Sequence, residues 1–283
     1  MSLTVPMALL ALASLQQQTD TTVAVAPDAR LDLTNQAGMI SVTTWDRNEM
    51  RVRAEHGSRD RIEIESRGSV VTIKARRRMG IPAVVDYELT VPVGMALRLG
   101  GIHAEVDVTG VQGEIHAESV EGSIHVRQVG SVTLSTVEGD IRVDGAAGAV
   151  RVHGIDGDIW IRDVSGGPVR AETIDGDLTL ENIETGNVDA STVDGEVQYR
   201  GAIRDGGTYR FISHDGDIVL RVPTSLNATV SVATFDGEFE ADPAFPVEVT
   251  SLRPGKRFRF VLGNGSAQME LESFDGSIQL RRQ

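Results

Sequence analysis

A chain of 283 residues with 30 glycines and only 4% aromatic residues must build its core from Val, Ile and Leu, and at that length the core can be a sizeable one. The formal charge of −14 argues against nucleic acid and anionic membrane surfaces as partners, leaving cations, basic proteins or plain solubility. The lack of cysteine excludes disulfides, zinc–thiolate sites, a cysteine nucleophile and a lipoprotein anchor.

Residues 1–19 differ from the rest. Val5 to Leu15 is an apolar run of the length found in secretory signals and too short to span a bilayer. Ala11-Leu12-Ala13 fits an A-x-A cleavage site, although no Lys or Arg precedes the apolar run. The expectation is a cleaved signal peptide and an extracytoplasmic protein, in the periplasm or at the cell surface. No other stretch is long and apolar enough to cross a membrane as a helix.

Residues 20–100 read as short strands between turn residues, from "TVAVA" and "RLDLTN" through "MISVTTW", "MRVRAE", "RIEIES" and "VVTIKA" to "VDYELTVP". Gly38 to Val42 resembles a degenerate first rung of the repeat that follows. The basic stretch Ala75 to Gly80 reads as a solvated loop, with an anionic ligand or partner as the other possibility. This region is expected to begin or cap the repeat, so that its first edge is not left open.

Residues 101–283 are repetitive. An acid-glycine motif recurs eight times, as in "TVEGDIRV" from Thr136, "TIDGDLTL" from Thr173 and "SFDGSIQL" from Ser273. The motif glycines from Gly122 to Gly237 are 17, 18, 19, 19, 21 and 21 residues apart, and 39 more lead to Gly276. A second glycine falls midway in most repeats: Gly130, Gly148, Gly167, Gly186 and Gly207. Apolar residues alternate with period two, as in Ile141/Val143, Ile159/Ile161 and Leu178/Leu180, which is the signature of strands. The residue before the acid is apolar too (Val137, Ile155, Ile174, Val193) and counts with this alternation.

A unit of this size cannot bury its own apolar face, but stacked units share one core. The spacing therefore predicts an all-β parallel β-solenoid of about 18–21 residues per turn. Ile141, Ile159, Leu178, Val197 and Ile218 should lie in one interior stack. Antiparallel hairpins joined by Asp-Gly turns are the rival arrangement.

Together, "LTNQAGMISVTTWDRNEMRV" from Leu33, "YELTVPVGMALRL" from Tyr87 and the tandem V-D/E-G-D/E-I-x-V rungs resemble the bacterial putative-adhesin family of β-strand-repeat proteins, a domain of unknown function. The resemblance covers roughly residues 30 to 283. It implies a β-helical, exported or surface-associated protein, and it brings no catalytic or ligand residues with it.

The acid-glycine turn has two readings. In the structural one, glycine supplies positive φ and Asp tolerates the turn. The Ser or Thr two residues before the acid (Ser119, Thr136, Thr173, Thr192, Ser213, Thr234, Ser273) then bonds a neighbouring rung. In the other, the stacked carboxylates of Asp156, Asp158, Asp175, Asp177, Asp194, Glu196, Asp215 and Asp217 hold Ca²⁺, although the calcium-binding nonapeptide of β-rolls is missing. No cofactor is called for.

No catalytic residue stands out. Every acid pair belongs to the repeat, whereas a glycosidase pair should break it. His103, His116 and His125 alternate with isoleucines and point outward. The chain reads as a non-enzymatic module, with a carbohydrate-active β-helix enzyme (polysaccharide lyase or hydrolase) as the alternative. The outward rung positions His125, Arg142, Trp160, Thr179, Gln198, Val219, Glu240 and Gln279 vary too much to match a periodic lattice. Within that row Trp160, beside Arg142, is the candidate contact for an unidentified protein or glycan, unless the ring is buried or caps an edge.

Overall fold

The structure, a computed structural model, describes residues 16–77, 83–245 and 256–283. The apolar leader and the distal part of the basic stretch, from Arg78 on, lie outside the described residues. All regular structure among those described is β-strand. The repeat folds as a two-faced parallel solenoid, and the hairpin arrangement is not adopted.

On the first face, Ile115–Glu121, Val132–Glu138, Val150–His153, Val169–Glu172, Asn187–Asp194 and Thr208–Asp215 pair in parallel, one rung after the next. On the second face, Ile124–Val129, Ile141–Ala146, Ile159–Val164, Leu178–Ile183, Val197–Gly201 and Ile218–Val222 do the same. Their register is in step, so Ile141, Ile159, Leu178, Val197 and Ile218 stand directly over one another and are buried. Period-two alternation sends these side chains inward to meet Val132, Leu134, Val150 and Val152 from the other face.

The stack begins earlier than its clearest repeats. Arg30–Trp45 and Ala96–Thr109 are long strands, each pairing along both its halves: Leu31 lies opposite Leu97, and Ile40 opposite Val106. Each is thus a whole rung, and Gly38, at φ +106°, lies in the first of them. Val70–Arg77 and Val85–Pro92 add a preceding layer in parallel. Antiparallel strands then cover it: Asp60–Arg67 on one face, and Glu49–Gly57 followed by Gln16–Ala24 on the other. The outermost pairing is held by Asp20, which accepts bonds from both Arg51 and Arg53.

Rung order departs from sequence order at the far end. Ala267–Asp275 lies between Thr208–Asp215 and Ala228–Thr234. Ile278–Arg282 lies between Ile218–Val222 and Phe239–Ala241. The last acid-glycine rung is therefore inserted before the one that precedes it in sequence. The long gap from Gly237 to Gly276 contains Lys256–Leu262, which pairs antiparallel with Ala228–Thr234 and sets Phe258 and Phe260 against Phe239. Physically, the well-formed final rung stacks on both sides. The rung ending in the three-residue strand Phe239–Ala241 needs a parallel partner on one side only, and serves as the end.

Candidate functional site

The acid-glycine corner is built from the main chain outward. The glycines Gly122, Gly139, Gly157, Gly176, Gly195, Gly216 and Gly276 have φ between +130° and +158°, where a Cβ is penalised. They also stack closely: a Cβ built on Gly176 would stand 2.3 Å from the carbonyl oxygen of Gly157. That oxygen is used. Thr136, Thr173, Thr192, Ser213 and Ser273 each donate their hydroxyl to the motif-glycine carbonyl of the rung beneath, at 3.0–3.5 Å. These hydroxyls are buried, and the expected rung-to-rung bond is present at these five positions; Ser119 donates to the Ala104 carbonyl of the rung beneath, whereas the buried Thr234 hydroxyl has no partner among the described residues.

The acids before and after the motif glycine separate into different roles. The residue after the glycine reaches along the axis. Asp140 accepts the main-chain N–H of Asp158, Asp158 that of Asp177, Asp177 that of Glu196 and Asp217 that of Ser277, at 2.7–3.3 Å. A charged acceptor on an amide makes a strong bond, so these carboxylates are part of the stacking. The acid before the glycine points to solvent. Glu121, Glu138, Asp156, Asp175, Asp194, Asp215, Asp275 and Asp236 are all exposed, one per rung. Among the described residues, no group of three or more His, Asp or Glu side chains is placed to hold a metal ion. Of the eight acids of the calcium reading, Asp158, Asp177 and Asp217 are thus bonded along the axis, Asp156, Asp175, Asp194 and Asp215 face water, and Glu196 enters the row only through its main-chain N–H.

The apolar residue just before each acid is a correction to the sequence reading. Val120, Val137, Ile155, Ile174 and Val193 stand outside, not in the core. The buried hydroxyl takes the inward position, and alternation turns the next side chain out. In register they form a ladder along one corner, extended at one end by Ile102 and at the other by His214, Phe274 and Phe235. Its eight apolar members are 38–57% exposed. At the far end, the rings of His214 and Phe274 stack at 4.8 Å, and those of Phe274 and Phe235 at 4.7 Å. The ladder was recoverable from parity alone, because Val132, Leu134 and Thr136 share one face and Val137 must take the other. Shallow grooves flank both ends. The larger, about 760 Å³, runs beside Ile102, Val120 and Val137, and the other adjoins Phe235 and Phe274.

The outward row of the second face is also in register, in the order His125, Arg142, Trp160, Thr179, Gln198, Val219, Gln279 and Glu240, with Val219 itself buried among its neighbours. Trp160 is half-buried, and the Arg142 guanidinium lies over its ring at 4.4 Å from the centroid, a cation–π contact. One ring face is therefore already covered by the chain's own arginine. Nearby, Asp144 accepts bonds from His125 and Arg162. Partial burial raises its pKa, but those bonds outweigh burial and hold the carboxyl below the usual range. His103 and His116 are surface residues bonded to Glu121 and Glu118. No helix of the described residues is long and apolar enough to cross a membrane.

Comparison with known proteins places this architecture. Two solved structures align with nearly the whole chain, at low similarity. One is a putative cell adhesion protein from Clostridium sporogenes, 12% identical, with 95% of this chain and 100% of that one covered and a TM-score of 0.24. The other is a putative adhesin from Bacteroides fragilis, 9% identical, with 93% and 96% covered and a TM-score of 0.47. Neither superposes closely enough to bear on function. No curated protein matches the sequence. The Toastrack DUF4097 family model, however, matches residues 28–281, from just before the first full rung to the final strand, and the chain belongs to that family.

Proposed function

We propose that this chain is an exported β-solenoid that works by presenting a surface, as an adhesin-like binding or structural module with no reaction of its own. In this reading residues 1–19 are a leader, 20–100 begin and cap the stack, and 101–283 are the presenting solenoid. Its ligand is a protein or a glycan outside the cytoplasm. The observation that carries it is the division of labour at the corner. Hydroxyls, glycines and post-glycine acids serve the stacking of rungs, while the side chains left outside are held in rows at strand spacing on a rigid frame. A carbohydrate-active enzyme needs a carboxylate pair set apart from the scaffold.

The test has two arms. Fractionation of the native host with intact-mass analysis should recover the protein outside the cytoplasm with its N-terminus near Ala13. Purified protein should bind immobilised surface glycans or proteins without releasing sugar products. Abundant cytosolic protein starting at Met1, or turnover of a polysaccharide, would contradict the reading.

A further inference from the structure

We infer that the corner ladder is a docking edge for a basic amphipathic helix of a partner protein. This deepens the surface-presenting reading above and rests on it. Two unfavourable features run side by side along one corner. The first is the row of exposed apolar side chains that includes Ile155, Ile174 and Val193. With His214 between Val193 and Phe274, it spans nine rungs and is about 38 Å long at strand spacing. A continuous exposed apolar strip of this kind marks an interaction site. The second is the parallel row of exposed pre-glycine carboxylates. Glu121 is paired with His103. The other seven, Asp156, Asp175 and Asp194 among them, make no ion pair among the described residues. Like charges one rung apart repel, and only solvent and salt moderate the cost.

A partner that removes both costs must be apolar along one stripe and cationic along its flank. The acid row lies on one side of the ladder only. On the other side the acids Glu172 and Glu272 already have Arg170 and Arg257 as partners. The complementary charge is therefore wanted on one flank. Spacing selects the partner's conformation. An α-helix offers one apolar position per turn, about every 5.4 Å, against a rung step of about 4.8 Å. An extended strand offers one every 6.4–6.8 Å or about that, and falls out of step within two or three rungs. A second copy of this chain fits poorly: with the two ladders antiparallel the acid rows come together, and with them parallel each row faces a flank whose Arg170 and Arg257 already have acid partners. An anionic membrane surface is repelled for the same reason.

The probe is a synthetic four-turn helical peptide, about 15 residues long, with a leucine stripe and lysines along one flank; its counterpart carries glutamates in place of the lysines. Binding to the full chain is measured by fluorescence anisotropy at low and high salt. The parent should bind the lysine peptide and not the glutamate peptide. Ile155→Ser with Ile174→Ser and Val193→Ser should weaken binding about tenfold or more, the scale of lost interface anchors. Asp156→Asn with Asp175→Asn and Asp194→Asn should weaken it and flatten its salt dependence. Thr179→Ser with Gln198→Ser, on the other face, should leave it unchanged. Circular dichroism confirms that each variant is folded, and Ile174→Ser alone replaces the triple variant if the triple is not.

Absence of binding by the parent, equal binding of both peptides, or a ladder variant that binds like the parent would each overturn the assignment. So would parent dimers that the ladder variant loses, or capture by anionic vesicles in place of the peptide. Export and surface display, read by fractionation, would survive any of these results, so the two readings fail separately.

Discussion

Replacing Gly176 by alanine tests the corner where its geometry is tightest. The backbone there has φ +143°, and the new Cβ would meet the Gly157 carbonyl oxygen at 2.3 Å and its carbon at 2.7 Å. Holding a non-glycine residue in such a conformation costs about 1–3 kcal/mol. The contact must also open by roughly 1 Å, which loosens the bond from the Thr173 hydroxyl to that carbonyl; a buried hydrogen bond of this type contributes about 0.5–1.5 kcal/mol. The sum is about 2–4 kcal/mol, or a fall in melting temperature of about 3–7 °C for a chain of this size. The comparison variant is Asp175→Ala, one residue away, whose carboxylate is exposed and whose loss should change stability by no more than about 0.5 kcal/mol. Both are read by thermal and urea unfolding followed by circular dichroism. A Gly176→Ala protein that melts with the parent, or an Asp175→Ala protein that is the weaker of the two, would refute the reasoning.

Ile159→Asp places a charge between Ile141 and Leu178 in the interior stack. It should cost more than about 4 kcal/mol, seen as loss of the cooperative transition or of soluble protein. Rung order can be read with paired cysteines in this cysteine-free chain. Arg210→Cys with Glu270→Cys, on adjacent rungs, should oxidise to a disulfide, whereas Arg210→Cys with Ser231→Cys, two rungs apart, should not. The clamp on the outermost strand should be pH-dependent. Hydrogen bonds from Arg51 and then Arg53 outweigh desolvation and lower the Asp20 pKa to about 2, against about 3.9 in an unfolded chain. A depressed carboxylate contributes its stability above the unfolded value and loses it as pH falls through the folded one. The stability gap between parent and Asp20→Asn should therefore be full at neutral pH and shrink between about pH 4 and pH 2.

Much of this was legible in the chain. The period of the acid-glycine motif gave the solenoid, and alternation gave the interior stack, because a rung has few other ways to bury Ile and Val. The recurring Ser and Thr pointed to a bond between rungs, and the carbonyl of the glycine beneath proved to be the acceptor. Two features were not read. The inserted final rung was hidden because spacing reports the period along the chain and not the order in which rungs stack. Only the excess length between Gly237 and Gly276 hinted at it. The exposed ladder was misjudged because Val137, Ile155 and Ile174 are apolar. Their parity relative to Thr136 and its counterparts would have turned them outward. Trp160 drew attention as the large aromatic of its row, yet Arg142 already covers one side of its ring.

If the acid-glycine corners hold the rungs through glycine carbonyls, hydroxyls and main-chain amides, they need no ion. Melting curves of the parent, recorded with calcium and with chelator, test it most directly, with Asp175→Asn/Asp194→Asn as the companion variant. Superimposable curves are expected for the parent, and a double variant that is unchanged or slightly more stable at low salt, where repulsion along the row is least screened. A fall of many degrees in the parent on adding chelator, matched by destabilisation of the double variant, would contradict it and make these corners metal sites.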